Sequence, residues 1–251
     1  MRNVYTLKSR GLYEPKQSEP FKVSRSGIEL FIECPCCFYL NNRLGIRRPS
    51  GPPFSINVAV DTLLKKEFDF HRVAKTQHPL MKKYGIDAVP YQHALMNEWR
   101  ENFKGVRFVH EPTQILVTGA VDDLWVNKKG ELIVVDYKAT AKESEISISA
   151  DWQMSYKRQM EVYQWLLRRI GFKVAKTGYF VYCNGRTDRE AFDGKVEFDV
   201  TVLPYKGDDS WVEGSLAEIK KCLNQKKIPK SPKDCEFCGY VTARSKHAKN
   251  F

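Results

Sequence analysis

The sequence lacks any apolar run that approaches the ~20 residues needed for a membrane-spanning helix. Its opening segment, MRNVYTLKSR, has no apolar core and so does not resemble a secretory signal. Internal repeats and low-complexity tracts are also absent from the sequence. We therefore expect a globular, cytoplasmic protein that does not associate with membranes.

Positive charge is what the 251 residues have in surplus. The chain contains 41 Lys and Arg against 30 Asp and Glu, which gives a formal net charge of +11. Hydrophobic residues make up 42%, an ordinary fraction for a folded protein, so the composition excludes a disordered chain. The positive surplus suits a polyanionic partner such as nucleic acid, and a merely soluble basic surface is the alternative.

The order of hydrophobic patterns predicts helices first, then a strand meander, a long helix, further strands and a final helix. Strands are predicted at 106–110, 114–126 and 131–137. The last of these follows a tight turn and is apolar enough to be buried on both faces. We therefore predict one α/β domain with a central mixed sheet and flanking helices.

This buried strand ends in Asp136, Tyr137 and Lys138. Residues i and i+2 of a strand point to the same side, so Asp136 and Lys138 share one pocket wall. One strand earlier, the sequence GAVD adds the carboxylate of Asp122. Two carboxylates collect a hard cation such as Mg²⁺ or Mn²⁺, and the carbonyl of Tyr137 can supply a third oxygen. An ordinary Asp–Lys ion pair is the alternative.

A third motif lies on the amphipathic helix predicted over 151–170. Gln159 and Tyr163 are four positions apart and share one helix face. Gly-x-x-Asp, Asp-x-Lys and Gln-x-x-x-Tyr thus follow one another over 119–163. In this order and spacing they resemble the motifs of RecB-like nucleases of the PD-(D/E)XK superfamily. The resemblance implies a restriction-endonuclease-like fold and metal-dependent hydrolysis of DNA.

The resemblance also implies roles for single residues. Asp122 and Asp136 are expected to bind the Mg²⁺ or Mn²⁺, and Lys138 to serve catalysis by orienting the attacking water and neutralising charge. Gln159 and Tyr163 are expected to support the site or the scissile strand. Plain helix packing is the alternative for the latter pair.

The chain departs from the family pattern at one expected metal ligand. RecB-like nucleases often carry a histidine on an earlier helix, and INVAVDTLL at 56–64 fits that frame. Asp61 occupies the histidine position. A carboxylate can replace imidazole on a hard cation, so we expect Asp61 to bind the same metal. A solvated place on the helix surface is the alternative.

Two C-x-x-C pairs lie near opposite ends of the chain, Cys34 with Cys37 and Cys235 with Cys238. Four thiolates fit tetrahedral zinc or a [4Fe–4S] cluster, and buried free cysteines are the alternative. The segment CPCCFYLNNRLG is similar to that of AddB and CRISPR-associated adaptation nucleases, which implies an iron–sulfur cluster. Those families commonly supply three late cysteines, whereas none follows Cys238 here, so zinc stays open.

The motifs predict a nuclease domain at 24–238, between a polar arm at 1–23 and a basic tail at 239–251. We expect activity in DNA repair, recombination or CRISPR-type processing, with other DNA-processing proteins as further partners. A non-catalytic nucleic-acid-binding module stapled by a four-cysteine zinc site is the alternative function. The residues expected to contact DNA phosphates are Lys142, Lys157, Arg158, Arg168 and Arg169.

Overall fold

The computed structural model describes residues 11–51 and 55–247. The first ten residues of the predicted arm and residues 248–251 of the predicted basic tail lie outside them. The chain divides into two compact units. Unit 1 comprises Met1–Pro52, Val109–Val117 and Ser210–Phe251, and unit 2 comprises Pro53–Phe108 and Thr118–Asp209. The domain limits at 24 and 238 stay predictions.

The helices within the described ranges are α1 (Arg25–Glu33), α2 (Pro35–Arg43), α3 (Ser55–Ala74), α4 (Pro79–Lys83), α5 (Met96–Trp99), α6 (Met154–Arg169), α7 (Val212–Asn224) and α8 (Glu236–His247). The strands are β1 (Phe21–Ser24), β2 (Ala88–Pro90), β3 (Val106–His110), β4 (Ile115–Gly119), β5 (Asp123–Asn127), β6 (Leu132–Thr140), β7 (Thr177–Gly185) and β8 (Phe198–Lys206). A 3₁₀ turn, Asp151–Gln153, leads into α6. None of the helices at 11–51 and 55–247 combines the length and hydropathy of a membrane span.

Unit 2 is built on a five-stranded mixed sheet with the order β2-β5-β6-β7-β8. Strands β6 and β7 run parallel, and the other neighbours run antiparallel. A parallel pair needs a crossover connection, which α6 provides here. Both α3 and α6 contact β6, which is buried from Leu132 through Tyr137. The predicted α/β class, with a mixed sheet flanked by helices, is confirmed.

The core of unit 2 forms between this sheet and the apolar face of α3. Leu64 and Phe68 are buried on α3, one turn apart. The ring of Phe68 lies 5.5 Å from that of Trp125 on β5 and 5.8 Å from that of Tyr137 on β6. Burying a large side chain of this kind contributes about 1.5–3 kcal/mol, so these contacts fix α3 against the strands that carry the aspartates.

The prediction of a single strand over 114–126 is wrong, because this segment forms two strands with a break at residues 120–122. The backbone of Gly105 packs so closely on Gly119 that a Cβ on Gly105 would lie 2.5 Å from the Gly119 carbonyl oxygen. The Arg100 guanidinium donates to the Asp122 carbonyl at 3.1 Å. Asp122 therefore has its backbone oxygen satisfied by a side chain, and it lies just before β5.

In unit 1, α1 and α2 contact each other and α7. Pro35 occupies the first turn of α2, where its missing N–H costs no helical hydrogen bond. Ser24 caps α1 by accepting from the Gly27 amide at 3.2 Å. Cys34 caps α2, since its sulfur accepts from the Cys37 amide at 3.3 Å. A second sheet has the strand order β1-β4-β3.

Candidate active site and cysteine centre

Asp136 and Lys138 lie on the same side of β6, as their spacing predicts. The Lys138 ammonium forms an ion pair with Oδ2 of Asp136, and the Lys138 side chain is 15% exposed, whereas that of Asp136 is completely buried. Within the part of the chain that the structure describes, neither carboxylate oxygen of Asp136 has a hydrogen-bond partner. A buried carboxylate in this state is costly unless a cation compensates it. Asp136 thus keeps Oδ1 available to a metal ion, while Oδ2 is paired with Lys138.

Asp122 is fixed next to this carboxylate. Its Oδ2 accepts a hydrogen bond from the Tyr137 amide at 2.9 Å. The antiparallel register pairs Asp123 with Val135, which makes Asp122 and Asp136 neighbours across the two strands. Burial, and then the charge of Asp136, raises the pKa of Asp122 to about 6. Two carboxylates in this relation favour a proton or a cation between them.

Asp123 belongs to a different network and serves the structure. Arg72 and Arg100 both pair with its Oδ1, the latter at 3.0 Å. The Tyr137 hydroxyl donates to Oδ2 of Asp123 at 2.8 Å. Since side chains alternate along a strand, the ring of Tyr137 lies on the other face of β6 from Asp136. These contacts anchor the strand ends and leave Asp122 as the carboxylate beside Asp136.

Asp61 approaches the same carboxylates from α3. Its Oδ2 lies 2.8 Å from Nζ of Lys65, and the same ammonium lies 3.7 Å from Oδ1 of Asp122. Burial raises the pKa of Asp61, with the charge of Asp122 adding to the rise and Lys65 opposing it. Lys65 was not among the residues predicted for this site. Its i+4 spacing from Asp61 on a helix is the signal that reveals it.

The carboxylates of Asp61, Asp122 and Asp136 form the donor set that a hard divalent cation prefers. Among the described residues they do not converge as tightly as the cysteines do. The Lys65 ammonium lies between Asp61 and Asp122 and places a positive charge beside both carboxylates. The donor chemistry of these carboxylates therefore suits a divalent cation, and their binding of Mg²⁺ or Mn²⁺, like that of the Tyr137 carbonyl, stays a prediction.

The Gln-x-x-x-Tyr pair is a contact within α6. The Gln159 amide donates to the Tyr163 hydroxyl at 3.0 Å. The ring of Tyr163 covers Gly119, since a Cβ there would lie 2.7 Å from Cε1 of Tyr163 and 3.0 Å from Cδ1 of Leu166. Glycine at the start of the Gly-x-x-Asp motif is thus required by the close approach of α6. A direct role of Gln159 and Tyr163 towards the substrate stays a prediction.

Two of the predicted phosphate contacts are lysines that lie over aromatic rings. Nζ of Lys142 is 4.7 Å from the ring centroid of Trp152, and Nζ of Lys157 is 5.9 Å from that of Tyr205. Flexible lysines held in this way can move to a phosphate at small cost. Their role in DNA binding stays a prediction that this position supports.

The three arginines of α6 differ in what they contact. Arg168 pairs with Asp209 and donates to the Ala175 carbonyl at 3.3 Å, which favours a structural role. Arg169 lies 5.7 Å from the centroid of an indole ring on the same helix. Contact of Arg158 with a phosphate stays a prediction. Basic composition alone did not distinguish these positions.

The predicted meeting of Cys34, Cys37, Cys235 and Cys238 in one cluster is confirmed. Their sulfur atoms all lie within 4.8 Å of one another. The sulfur of Cys238 is 3.8 Å from that of Cys34 and 3.6 Å from that of Cys37, and Cys37 lies 3.7 Å from Cys235. Four ligands at about 2.3 Å around a tetrahedral zinc ion are separated by about 3.8 Å. The separations therefore fit one ion.

The thiols of this cluster differ in acidity. Burial raises the pKa of Cys37 to about 11. At Cys235, burial is outweighed by hydrogen bonds from the Cys238 amide and the neighbouring thiols, which lower its pKa to about 7. The Arg48 guanidinium lies 3.7 Å from the sulfur of Cys235, and its hydrogen bond to Cys37 opposes the rise in the pKa of Cys37. Because metals bind thiolates, occupation of this centre releases protons.

The chain is similar to a known protein family and to several solved structures. A family model described as the PD-(D/E)XK nuclease superfamily matches residues 55–243. Eleven chains of solved structures match this chain. One of them, "Crystal structure of SSO0001", has 16% sequence identity and a TM-score of 0.43, and the match covers 90% of this chain and 86% of that chain. No curated protein matches this sequence.

Proposed function

This chain belongs to the PD-(D/E)XK nuclease superfamily, and on that premise we propose that it is a Mg²⁺- or Mn²⁺-dependent nuclease that hydrolyses DNA phosphodiester bonds. One observation carries the proposal. Asp136 is fully buried with both carboxylate oxygens lacking hydrogen bonds in the described structure, beside Asp122 and Lys138. A cation held there would supply a Lewis acid and would lower the pKa of a coordinated water.

The side chains of the site have separate tasks in this proposal. Asp122 and Asp136 hold the cation, and the Tyr137 amide keeps Asp122 in position by donating to it. Asp61, which lies on α3 and pairs with Lys65, would add a third carboxylate to this set. Lys138, which is paired with Asp136, orients the attacking water and stabilises negative charge that develops on the phosphate.

The motif order supports a place among the RecB-like nucleases, and the net charge of +11 supports a DNA backbone as the bound polyanion. Lys142 and Lys157 are the lysines we assign to phosphate contacts. DNA repair, recombination or CRISPR-type processing in the cytoplasm, with other DNA-processing proteins, is the setting that suits such an activity.

We further propose a structural metal at the four cysteines of unit 1. The sulfur separations of 3.6–3.8 Å support one zinc ion. The alternative is the [4Fe–4S] cluster implied by the resemblance to AddB and the CRISPR-associated adaptation nucleases. Such a cluster holds its cysteine sulfurs farther apart, because iron and sulfide atoms lie between them.

Digestion of end-labelled linear DNA and of circular DNA, with Mn²⁺, Mg²⁺ or a chelator, tests the nuclease proposal. The wild-type protein should cleave with metal and not with chelator, and Asp136→Asn should bind DNA without cleaving it. Asp87→Asn is the matched control, because Asp87 lies in an exposed ion pair with Lys128. A wild-type protein that shifts DNA but cleaves neither substrate with either metal would establish the binding module instead.

A further inference from the structure

An aromatic surface adjoins the proposed catalytic pocket where α6 begins. Trp152 lies in the 3₁₀ turn and is 55% exposed, and Tyr156 follows one turn later, half-buried. Their rings meet edge to face with centroids 5.6 Å apart. We refer to these two side chains as the Trp152–Tyr156 platform. Because Trp152 is more than half exposed, one face of the platform is open to a ligand.

Lysines join the platform to the catalytic pocket at one end and extend it at the other. Nζ of Lys138 lies 4.4 Å from the ring centroid of Tyr156. Nζ of Lys142 lies 4.7 Å from the ring centroid of Trp152. Outwards from the pocket, the surface therefore presents a cation, then two aromatic rings, then a second cation. This is the chemistry of a surface that follows a nucleic-acid strand, in which charged phosphates alternate with flat bases.

The segments that carry this surface are fixed by amide side chains. Oδ1 of Asn184 accepts from the Lys142 backbone amide at 2.8 Å, and Nδ2 of Asn184 donates to the Lys142 carbonyl at 2.9 Å. Gln153, which is buried, accepts from the Ala150 amide at 3.0 Å and donates to the Ser147 carbonyl at 2.7 Å. The loop before α6 is thus held in shape before any ligand binds, which lowers the entropic cost of binding.

We propose that the Trp152–Tyr156 platform stacks an unpaired base next to the scissile phosphate, and that Lys142 binds the adjoining phosphate. The inference rests on the proposed nuclease function. Every base has an aromatic face, so stacking of this kind tolerates any sequence. In an intact duplex those faces are covered by neighbouring base pairs. The platform therefore selects single-stranded DNA or an unpaired end.

Binding of single-stranded oligonucleotides with one abasic position each tests this proposal. The full-length Asp136→Asn protein is used, so that the DNA is not cut. Loss of the base at one or two positions should weaken binding by roughly 5- to 100-fold, as expected for one lost stacking contact. Trp152→Ala in the same background should weaken binding of the intact oligonucleotide by a similar factor. The same substitution should also abolish the positional effect, that is, the dependence of binding on which position lacks its base.

Two further variants and a duplex make the test specific. Trp152→Phe keeps an aromatic ring and should retain most of the positional effect. Phe70→Ala, which removes a 76% exposed ring on α3, should bind like its parent. A blunt duplex should bind Trp152→Ala and its parent within about twofold, because its bases are already stacked. Equal melting temperatures of the variants would exclude a loss of fold.

If affinity depends on the abasic position in the same way with and without Trp152, the proposal that the platform stacks a base is wrong, even if the wild-type protein cleaves DNA. A wild-type protein that cleaves no DNA, but whose positional effect depends on Trp152, overturns the nuclease proposal and supports the platform. The two failures are therefore distinguishable.

Discussion

The backbone amide of Tyr137 donates a hydrogen bond to Oδ2 of Asp122 at 2.9 Å. The middle residue of the Asp-x-Lys motif thus holds the aspartate of the Gly-x-x-Asp motif in place. The other oxygen of Asp122, Oδ1, lies 3.7 Å from the ammonium of Lys65. One oxygen is fixed by the strand, and the other faces a positive charge that a metal ion can replace.

Replacing Asp136 by Asn should abolish stabilisation of the protein by Mn²⁺. In the presence of a chelator, the same variant should melt within a few degrees of the parent, because loss of the ion pair with Lys138 is offset by loss of the repulsion between Asp136 and Asp122. Thermal unfolding with and without Mn²⁺ measures both effects. The control Asp87→Asn removes a carboxylate that is 65% exposed and should behave like the wild type. Undiminished stabilisation of Asp136→Asn by Mn²⁺ would remove Asp136 from the metal site.

The raised pKa of Asp122 predicts how the stability of the metal-free protein changes with pH. Its pKa rises from an ordinary 3.8 to about 6, so the folded state binds this proton more tightly than the unfolded state. The resulting stabilisation is fully present below pH ~4 and is lost as the pH rises through ~6, by at most about 3 kcal/mol. Asp122→Asn should lack this loss. Denaturant unfolding in chelator between pH 4 and 7.5 measures this loss of stability. Equal pH profiles for the variant and the wild type would contradict the prediction.

Lys65 should compete with the metal for Asp61 and Asp122. Asp61→Asn should weaken Mn²⁺ binding about tenfold or more through loss of a ligand, and Asp61→His should restore part of it. Lys65→Met should instead tighten binding, because the ammonium no longer has to be displaced. Calorimetric titration with Mn²⁺ measures these affinities. Lys66→Met, at an exposed position on the same helix, is the control. Unchanged titrations for the Asp61 and Lys65 variants would make both residues ordinary parts of the α3 surface.

Gly119→Ala should reduce both stability and nuclease activity. The added Cβ would meet the Tyr163 ring at 2.7 Å, so α6 must shift, at a cost of about 1–3 kcal/mol. Chemical denaturation and the cleavage assay measure the two losses. Gly214→Ala is the matched control, because a Cβ at Gly214 meets nothing within 4 Å and alanine favours α7. Full activity and stability in Gly119→Ala would show that the Tyr163 contact is dispensable.

Cys34→Ser and Cys238→Ser should each lose the metal of unit 1 and lower the melting temperature, without an additive effect in the double variant. Ligation joins residues some two hundred positions apart, and closing so long a loop restricts the unfolded chain. Metal analysis should find about one zinc per chain in colourless protein. Cys183→Ala, which alters a cysteine of the β7 core, should keep that metal. Brown protein with about four irons per chain would indicate an iron–sulfur cluster in place of zinc. Protein without either metal would contradict the proposed metal centre.

The sequence by itself determined the features that depend on local spacing. Alternation along β6 put Asp136 and Lys138 on one side because side chains point to opposite faces in turn. The continuous apolar run predicted a strand buried on both faces, and β6 is buried from Leu132 through Tyr137. Thiol pairs at C-x-x-C spacing predicted a shared cluster because each pair is already a chelate.

Tertiary structure alone decided the features that join distant parts of the chain. The strand predicted over 114–126 breaks because Gly105 packs on Gly119 and Arg100 takes the carbonyl of Asp122. Arg168 is an ion-pair partner of Asp209 rather than one of several equivalent basic residues. None of these partners is set by local periodicity. Each depends on how separate segments pack, and that is settled only when hydrophobic burial brings the segments together.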